Sequence, residues 1–245
     1  MNSGPEIVVL EDSTALAREA AERFVRAAAS ATAARARFAV ALSGGKTLLG
    51  VFAILSQRTD IDWTRVEIFW VDERAVPPTH ANSNFGAADV ALLQRVPIPA
   101  AQVHRMPADA PDLERAAADY EALLRLRLGH PPRLDLVILG LGADGHTASL
   151  FPRHAALAER RRLVVATPAP VIAPRLTLTL AAIDAARAVI FLVTGADKQE
   201  AVRRTLRAAR DVDAFPAQAV SPEGGVVTWL LDRDAAAGLT GSGVA

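Results

Sequence analysis

A short apolar segment at residues 134–139 leads directly into a glycine loop that carries Asp144 and His146. A segment this apolar predicts a central strand of a parallel sheet, covered on both faces. In open α/β sheets, ligands bind outside the carboxyl ends of such strands. The sequence therefore predicts an acid–base pair at the ligand-binding edge of a sheet.

Strand-like segments alternate with alanine-rich segments of helical spacing along the chain. The pattern predicts strands at residues 7–10, 38–42, 66–71, 134–139, 163–166 and 189–193, and helices at residues 13–35, 47–57, 113–128 and 198–209. This alternation predicts an α/β fold, a Rossmann-like, layered, mostly parallel sheet flanked by helices. The proline-rich stretches at 76–79 and 168–170 are expected to be internal loops, so residues 1–245 are expected to form one domain.

A small β element is expected in addition to the main sheet. Residues 175–180 alternate leucine with threonine, which predicts a half-exposed strand with one polar face and suggests an antiparallel addition. Residues 217–220 and 226–231 resemble a terminal strand pair joined by a turn at 222–225. Residues 238–245 are expected to be a frayed tail.

The composition limits the classes of protein that this chain can belong to. Its 245 residues are 51% hydrophobic, and 27 basic residues balance 27 acidic ones, which disfavours nucleic-acid and anionic-membrane partners. The absence of cysteine excludes disulfides, thiolate metal sites and cysteine nucleophiles, and no other metal-ligand cluster is evident. No apolar run approaches the ~18 residues of a membrane span, and the first residues carry no signal pattern, so a cytoplasmic protein is expected.

A second glycine loop, at residues 41–47, also follows a predicted strand and precedes a predicted helix. Free backbone N–H groups and the positive end of a helix suit a phosphate, and Ser43 and Lys46 stand beside Gly44 and Gly45. A nucleotide-binding P-loop would require a glycine where Val40 stands. A glycine turn that only connects strand to helix is the remaining alternative.

Residues 140–145 match the glycine spacing of the dinucleotide-binding fingerprint. Two features disfavour that interpretation: the next predicted strand ends without an acidic residue to hold a ribose, and Asp144 would repel a pyrophosphate. His146 lies two residues from Asp144 and beside the hydroxyls of Thr147 and Ser149, and a nearby carboxylate can fix its tautomer and raise its basicity. The remaining histidines lack such neighbours and are expected to be structural or surface residues: His80, His104, His130 and His154.

Three charged residues, Asp72, Glu73 and Arg74, follow the predicted strand at 66–71. At the carboxyl end of a central strand they would face the ligand crevice. The alternative is a solvated turn with an Asp–Arg ion pair of little stabilising value. The polar loop at 80–84 suits a hydroxylated substrate.

Together, these three loops resemble the 6-phosphogluconolactonase family, within the larger group that includes glucosamine-6-phosphate deaminase. The resemblance spans nearly the whole chain. Its motifs, in the family's order, are Ser43-Gly44-Gly45, Val71-Asp72-Glu73-Arg74 followed by Ser83-Asn84-Phe85-Gly86, and residues 140–152, 174–179, 195–198, 216–217 and 229–232.

The resemblance implies hydrolysis of 6-phospho-D-glucono-1,5-lactone to 6-phospho-D-gluconate, the second step of the oxidative pentose phosphate pathway, with no cofactor. His146, oriented by Asp144, would take a proton from the attacking water and return it to the departing ring oxygen. Arg74 would stabilise negative charge on the carbonyl oxygen or orient the ring, and Asp72 would hold substrate hydroxyls or Arg74 itself.

The resemblance also implies a substrate-binding set. The phosphate is expected to bind the backbone of Ser43, Gly44 and Gly45 together with Arg175 and Lys198, two cations that would otherwise be ordinary surface residues. Asn84 and Lys46 complete the expected set.

This chain departs from the family in its first glycine loop. The family commonly has Ser-Gly-Gly-Ser-Thr-Pro there, whereas this chain has Lys46 and Leu48. Lys46 would either add a phosphate contact or point to solvent.

Two other functions compete with the lactonase. A sugar-phosphate deaminase or isomerase usually continues from the Asp-Gly-His motif toward a catalytic glutamate, but residues 149–153 of this chain contain no acid. A non-catalytic sugar-phosphate sensor usually carries a DNA-binding helix pair, and the chain before Phe38 has room for only one strand and one long helix. The expected partner is a small sugar-phosphate lactone, and the expected state is a monomer or weak homodimer.

Overall fold

The computed structural model describes residues 4–168 and 173–240. The strands in these ranges are β1 (Glu6–Leu10), β2 (Phe38–Leu42), β3 (Val66–Trp70), β4 (Asp72–Arg74), β5 (Val103–His104), β6 (Leu136–Leu139), β7 (Val164–Thr167), β8 (Arg175–Leu178), β9 (Ala188–Val193) and β10 (Val226–Asp232). The α-helices are α1 (Ser13–Arg35), α2 (Lys46–Leu55), α3 (Asn84–Ala91), α4 (Leu113–Leu128), α5 (Leu180–Asp184), α6 (Gln199–Arg207) and α7 (Arg233–Thr240).

The main sheet has seven strands in the order β1-β10-β9-β6-β2-β3-β5, and every pair of neighbours is parallel. The predicted α/β fold with a mostly parallel sheet flanked by helices is confirmed. β6 is the fourth of the seven strands, so the prediction that residues 134–139 contain a central strand is confirmed as well. Every residue of β2, β3 and β6 is buried, as expected for strands covered on both faces.

The order of the strands reverses between β2 and β6. From β2 the chain continues to β3 and β5 on one side, whereas β6, β9 and β10 extend the sheet on the other side. At such a switch point the loops after the two strands diverge, which leaves a crevice at their carboxyl ends. Both glycine loops singled out in the sequence begin at this crevice.

Local signals determine where the two longest helices begin and end. The Asp12 side chain accepts a hydrogen bond from Ala15 N at 2.8 Å at the start of α1, and Asp112 accepts one from Arg115 N at 3.0 Å at the start of α4. The C-cap residue of α1 is Ala36, which has a left-handed φ of 60°, and the C-cap residue of α4 is Gly129. Both predicted ranges are confirmed, whereas α2 and α6 end two residues before the predicted boundaries.

A separate three-stranded antiparallel sheet, in the order β4-β8-β7, forms the small added β element. The expectation of a half-exposed β8 segment is wrong, because Thr177 and Thr179 are fully buried. α4 packs against this sheet, and both hydroxyls have internal partners. Thr177 Oγ1 accepts a hydrogen bond from Ser149 N at 3.1 Å, and Thr179 Oγ1 donates one to Arg162 O at 2.7 Å.

The carboxyl-terminal part of the chain differs from its prediction. The expected strand pair is wrong: Pro216–Ala219 forms a 3-10 helix, and β10 lies between β1 and β9 with parallel pairing on both sides. These partner strands come from distant parts of the chain, so the local turn pattern gives no sign of them. Gly238 lies within α7 rather than in a frayed tail, while residues 241–245 and most of the proline-rich stretch at 168–170 lie outside the described residues.

Within the described ranges, no helix is both long and apolar enough to cross a bilayer. That residues 1–245 form one domain stays a prediction.

Candidate active site

A cleft of about 490 Å³ opens at the switch point between β2 and β6. Its walls come from the two glycine loops, from β4 and β8 of the small sheet, and from the segment after β9. The expected site residues that line it are Ser43, Gly44, Gly45, Lys46, Asp72, Arg74, His146, Arg175 and Lys198. The other two, Asp144 and Asn84, are not part of its lining but contact residues that are.

His146 and Asp144 form a hydrogen-bonded pair at the end of β6. His146 Nδ1 lies 2.5 Å from Asp144 Oδ1, and the His146 backbone N–H donates to the same oxygen at 3.2 Å. Burial acts to raise the pKa of Asp144, but the charge and hydrogen bonds of His146 outweigh it and hold the pKa below its ordinary value. His146 Nε2 has no hydrogen-bond partner among the described residues, so this nitrogen is available to a molecule in the cleft.

Two glycines make this pair possible. A Cβ on Gly142 would lie 2.0 Å from His146 Nδ1 and 2.6 Å from Asp144 Oδ1, so a side chain there would displace the pair. Gly145 has a φ of 84°, which favours glycine, and a Cβ there would lie 2.7 Å from the Phe215 ring. The glycine spacing that matches a dinucleotide fingerprint thus has a local explanation in the packing of this loop.

Asp72, Ser149 and Arg175 form a buried polar network beside the pair. Asp72 Oδ2 accepts a hydrogen bond from Ser149 Oγ at 2.6 Å and lies 3.5 Å from Arg175 Nη1. Burial lowers the pKa of Arg175, while the charge of Asp72 opposes that shift. The cation paired with Asp72 is therefore Arg175; the described residues show no ion pair between Asp72 and Arg74, and contact of Asp72 with substrate hydroxyls stays a prediction.

Arg74 reaches the cleft from β4. Its Nη1 donates to the Asn82 carbonyl at 2.6 Å, which fixes the guanidinium against the following loop. The Nε atoms of Arg74 and Arg175 are both buried without a hydrogen-bond partner among the described residues. Unsatisfied buried donors are costly, and neither Nε atom receives an acceptor from the described part of the chain.

Glu73 and Asn84 lie behind the cleft wall. Glu73 accepts hydrogen bonds from Ser83 Oγ, Asn84 N and Phe85 N at the start of α3, so it anchors that helix. The Asn84 side chain donates to Asp72 O at 2.9 Å, and a Cβ on Gly44 would lie 1.8 Å from Asn84 Oδ1. Gly44 therefore allows Asn84 to pack directly behind the glycine loop.

The part of the cleft lining around the first glycine loop is rich in backbone donors and cations. α2 begins at Lys46 without a side-chain cap, and Gly45 before it has a φ of 109°. Lys46 is exposed, and Lys198 also lines the cleft, with Asp197 as its neighbour 3.4 Å away. This combination of a free helix N-terminus and two lysines suits an anion.

Sequence reasoning missed two contributors to the site. The ring of Phe151 contacts His146, with ring centroids 4.8 Å apart, and lies under the Arg175 guanidinium at 5.5 Å. Thr194 Oγ1 lies 2.8 Å from Thr47 Oγ1 and joins the segment after β9 to the first glycine loop. The position of Thr194 directly after β9 is the signal that could have found it, since the carboxyl ends of all parallel strands face the ligand.

In the described ranges, no group of three or more His, Cys, Asp or Glu side chains is arranged to hold a metal ion. The polar side chains that line the cleft are instead hydroxyls, guanidinium and ammonium groups, the imidazole of His146, and the carboxylates of Asp72 and Asp197.

Comparison with known proteins agrees with this geometry. The model of the family described as glucosamine-6-phosphate isomerases/6-phosphogluconolactonase matches residues 11–229. A 6-phosphogluconolactonase of Synechocystis sp. is 38% identical over 94% of this chain and 97% of its own length. One of Mycobacterium tuberculosis is 41% identical over 95% of this chain and 98% of its own length.

Solved structures show the same likeness. The structure of 6-phosphogluconolactonase from Trypanosoma brucei superposes with a TM-score of 0.84 at 29% identity, covering 96% of this chain and 99% of that one. A monomeric glucosamine-6-phosphate deaminase shares the fold at 21% identity, with a TM-score of 0.82 over 95% of this chain and 99% of its own. The match of a family model over most of the sequence, together with relatives at 38–41% identity, shows that this chain belongs to the glucosamine-6-phosphate isomerase/6-phosphogluconolactonase family.

Proposed function

We propose that this protein hydrolyses 6-phospho-D-glucono-1,5-lactone to 6-phospho-D-gluconate in the pentose phosphate pathway. The observation that carries this proposal is the His146–Asp144 pair: Nε2 of His146 has no hydrogen-bond partner among the described residues, and His146 lines a cleft that several cations also line. Relatives at 38–41% identity over nearly the whole chain bear the name of this activity.

Water attack on the lactone needs a base, and His146 is placed to act as one. Its Nε2 accepts a proton from water while the water oxygen bonds to the lactone carbonyl carbon. Asp144 keeps the proton of the ring on Nδ1 and stabilises the imidazolium that forms. When the tetrahedral intermediate collapses, the bond from that carbon to the ring oxygen breaks and the ring oxygen takes the proton from Nε2. The pair thus returns to its starting state.

The negative charge that develops on the carbonyl oxygen requires hydrogen-bond donors. Arg74 supplies them from β4, with an orientation fixed by its bond to Asn82 O. Arg175 is held by Asp72 and Ser149 on the same side of the cleft, and Asp72 is also placed to accept from a sugar hydroxyl.

The phosphate of the substrate fits the part of the cleft around the first glycine loop. Backbone N–H groups at Ser43, Gly44 and Gly45, together with Lys198, provide the donors, and Lys46 adds a second ammonium group there. A cation in the first turn of a helix opposes the helix dipole, so a bound dianion would relieve an unfavourable interaction at Lys46.

The deaminase or isomerase and the non-catalytic sensor are less well supported by the cleft. Where a deaminase usually carries a catalytic glutamate, this chain has Ser149 bonded to Asp72 and Phe151 packed on His146. A sensor has no need of a histidine held by a carboxylate. Release of ammonia or formation of a ketose would identify the first alternative, and sugar-phosphate binding without turnover the second.

We also infer that the protein acts in the cytoplasm as a monomer or weak homodimer, without a nucleic-acid or membrane partner. The balanced charge of 27 basic and 27 acidic residues supports this inference.

The function is tested by following proton release from 6-phosphogluconolactone generated in situ, against the spontaneous background. The parent chain is expected to accelerate hydrolysis, and His146→Ala to lower kcat by at least ~10²-fold, the usual contribution of a general base. His154→Ala is the matched control, because His154 is partly buried and hydrogen-bonded but does not line the cleft. No acceleration by the parent chain would overturn the lactonase, and equal losses in both variants would overturn the role of His146.

A further inference from the structure

Asp232, at the end of β10, is a buried carboxylate to which the proposed reaction assigns no role. Both of its oxygens lie 3.1 Å from Gly195 N, and its Oδ1 also accepts a hydrogen bond from Ala235 N at 2.8 Å. One side chain therefore joins the first turn of α7 to the backbone at the point where the chain leaves β9 for the cleft.

α7 makes a second contact with this part of the chain, at a position four residues after Gly195. Gly238 of α7 packs against Gln199, where α6 begins, and a Cβ on Gly238 would lie 2.5 Å from the Gln199 carbonyl oxygen. A glycine inside a helix is normally unfavourable by about 1 kcal/mol relative to alanine, so its presence here indicates that the close approach is needed. Asp232 and Gly238 thus contact the two ends of residues 195–199, which we name the Lys198 segment.

The Lys198 segment has little to fix it locally. It consists of a 3-10 turn, Ala196–Lys198, whose start at Gly195 has a φ of 97° and no side-chain cap. Lys198 itself pairs only with the adjacent Asp197, at 3.4 Å, among the ion pairs of the described residues. A long ammonium side chain loses much conformational entropy on binding an anion, so the position of its backbone decides how well it can do so.

We propose that β10 and α7 position the Lys198 segment for binding of the substrate phosphate, with Asp232 and Gly238 as the positioning residues. This inference rests on the proposed function, because it takes the phosphate as the ligand of Lys198. It assigns a role to the Trp229-Leu-Leu-Asp232 motif and to α7; this motif lies in the second strand from the edge of the main sheet, and its residues do not line the cleft.

The test compares substrate affinity with turnover in the full-length chain. Asp232→Ala removes both hydrogen bonds, and we expect the KM for 6-phosphogluconolactone and the inhibition constant of 6-phosphogluconate to rise about tenfold, the usual effect of losing one hydrogen bond to a charged group. The kcat is expected to stay within about twofold, since His146 and Asp144 are attached to β6. Asp232→Asn retains Oδ1, which accepts from Gly195 N and Ala235 N, but its NH2 group replaces Oδ2 at 3.1 Å from Gly195 N, so both constants are expected to lie between those of the parent and of Asp232→Ala.

Asp184→Ala is the matched control. Asp184 also accepts a backbone hydrogen bond, from Ser221 N at 2.7 Å, but it does not line the cleft. Its KM and inhibition constant are expected to match the parent's. Gly238→Ala is the independent variant, because it disturbs the other end of the Lys198 segment and leaves Asp232 in place; the same rise in both constants is expected.

Three outcomes separate the possibilities. A selective rise in both constants for Asp232→Ala and Gly238→Ala supports the inference. If kcat falls as much as affinity, or if neither variant changes either constant, the positioning role is wrong while the lactonase stands. If the parent chain neither hydrolyses the lactone nor binds 6-phosphogluconate, the proposed function and this inference fail together.

Discussion

Two histidine–carboxylate pairs among the described residues differ in their settings. Asp144 and His146 are two residues apart in one loop, lie at the carboxyl end of the central strand, and are both partly exposed, with His146 lining the cleft. Glu67 and His104 are 37 residues apart, and their side chains are both about 8% exposed. The same two chemical groups thus occur once at a cleft wall and once in the interior.

The surroundings of the second pair show that it is structural. Glu67 also accepts a hydrogen bond from Arg127 Nε at 3.0 Å, and the His104 ring stacks on Phe69 with centroids 4.6 Å apart. These contacts join β3, β5 and the end of α4. A histidine is suited to catalysis when its second nitrogen faces a space that a substrate can enter, and only His146 of these two lines the cleft.

The largest effect is expected from Glu67→Ala. Removal of this carboxylate leaves the buried His104 without its acceptor, while Arg127, which is 37% exposed, can be hydrated, so the free energy of unfolding is expected to fall by about 1–3 kcal/mol. Urea denaturation measures this loss, and kcat of the folded fraction should not change. In Asp144→Ala, by contrast, the lost carboxylate is half exposed, so its contribution to stability is expected to be below about 1 kcal/mol. Similar losses of stability in the two variants would contradict the distinction.

A smaller effect, on catalysis, is expected from Asp144→Asn. The amide lacks the negative charge that stabilises the imidazolium, so kcat should fall about 10–100-fold, part of the contribution of a general base. Steady-state kinetics measures the fall. Glu67→Gln is the control for the other pair and should leave kcat unchanged. A normal kcat in Asp144→Asn would show that His146 does not depend on its carboxylate.

The smallest effect concerns the response of stability to acid. Hydrogen bonds from His104 and Arg127 outweigh the burial of Glu67 and lower its pKa from 4.5 to about 2. A carboxyl group whose pKa is lowered in the folded state stabilises the fold at pH values above its pKa in the unfolded state. This stabilisation is lost as the pH falls from the unfolded-state pKa toward the folded-state pKa. Between pH 7 and pH 4 this loss should be on the order of 1 kcal/mol.

Urea midpoints at these two pH values measure the acid response, with Glu67→Gln as the comparison because a glutamine cannot titrate. We expect the parent chain to lose more stability than this variant between pH 7 and pH 4. Equal losses would show that Glu67 does not have a depressed pKa. The pKa of Asp144 is also below its ordinary value. Because its side chain is half exposed, its protonation is expected to change the free energy of unfolding less than protonation of Glu67 does.

Much of the site could be predicted because its residues are close together in the sequence. The strand at 134–139, the glycine loop after it and the His146–Asp144 spacing all lie within one short segment, and hydrogen bonding to a residue two positions away depends little on the remaining fold. The same holds for the limits of α1 and α4, which the side chains of Asp12 and Asp112 specify locally.

The contacts that were predicted wrongly or not predicted at all join distant residues. His104 has no acidic residue near it in the sequence, yet it pairs with Glu67; Asp72 pairs with Arg175 of β8 rather than with nearby Arg74. The expected polar face of β8 is buried because Thr177 packs against the loop after β6, where it accepts a hydrogen bond from Ser149 N, and β10 joins the main sheet rather than a terminal strand pair. No local pattern encodes such pairings, because they depend on which elements the whole chain brings together.

The sequence by itself determined the fold class, the central strand, the two glycine loops and the histidine–carboxylate pair. It could do so because hydrophobic periodicity, helix capping and hydrogen bonds between near neighbours act over a few residues. Only the tertiary structure decided which cation pairs with Asp72, that Asn84 packs behind Gly44, and that Asp232 and Gly238 contact the Lys198 segment. Those contacts result from the order of strands in the sheet and from the packing of side chains that lie far apart in the chain.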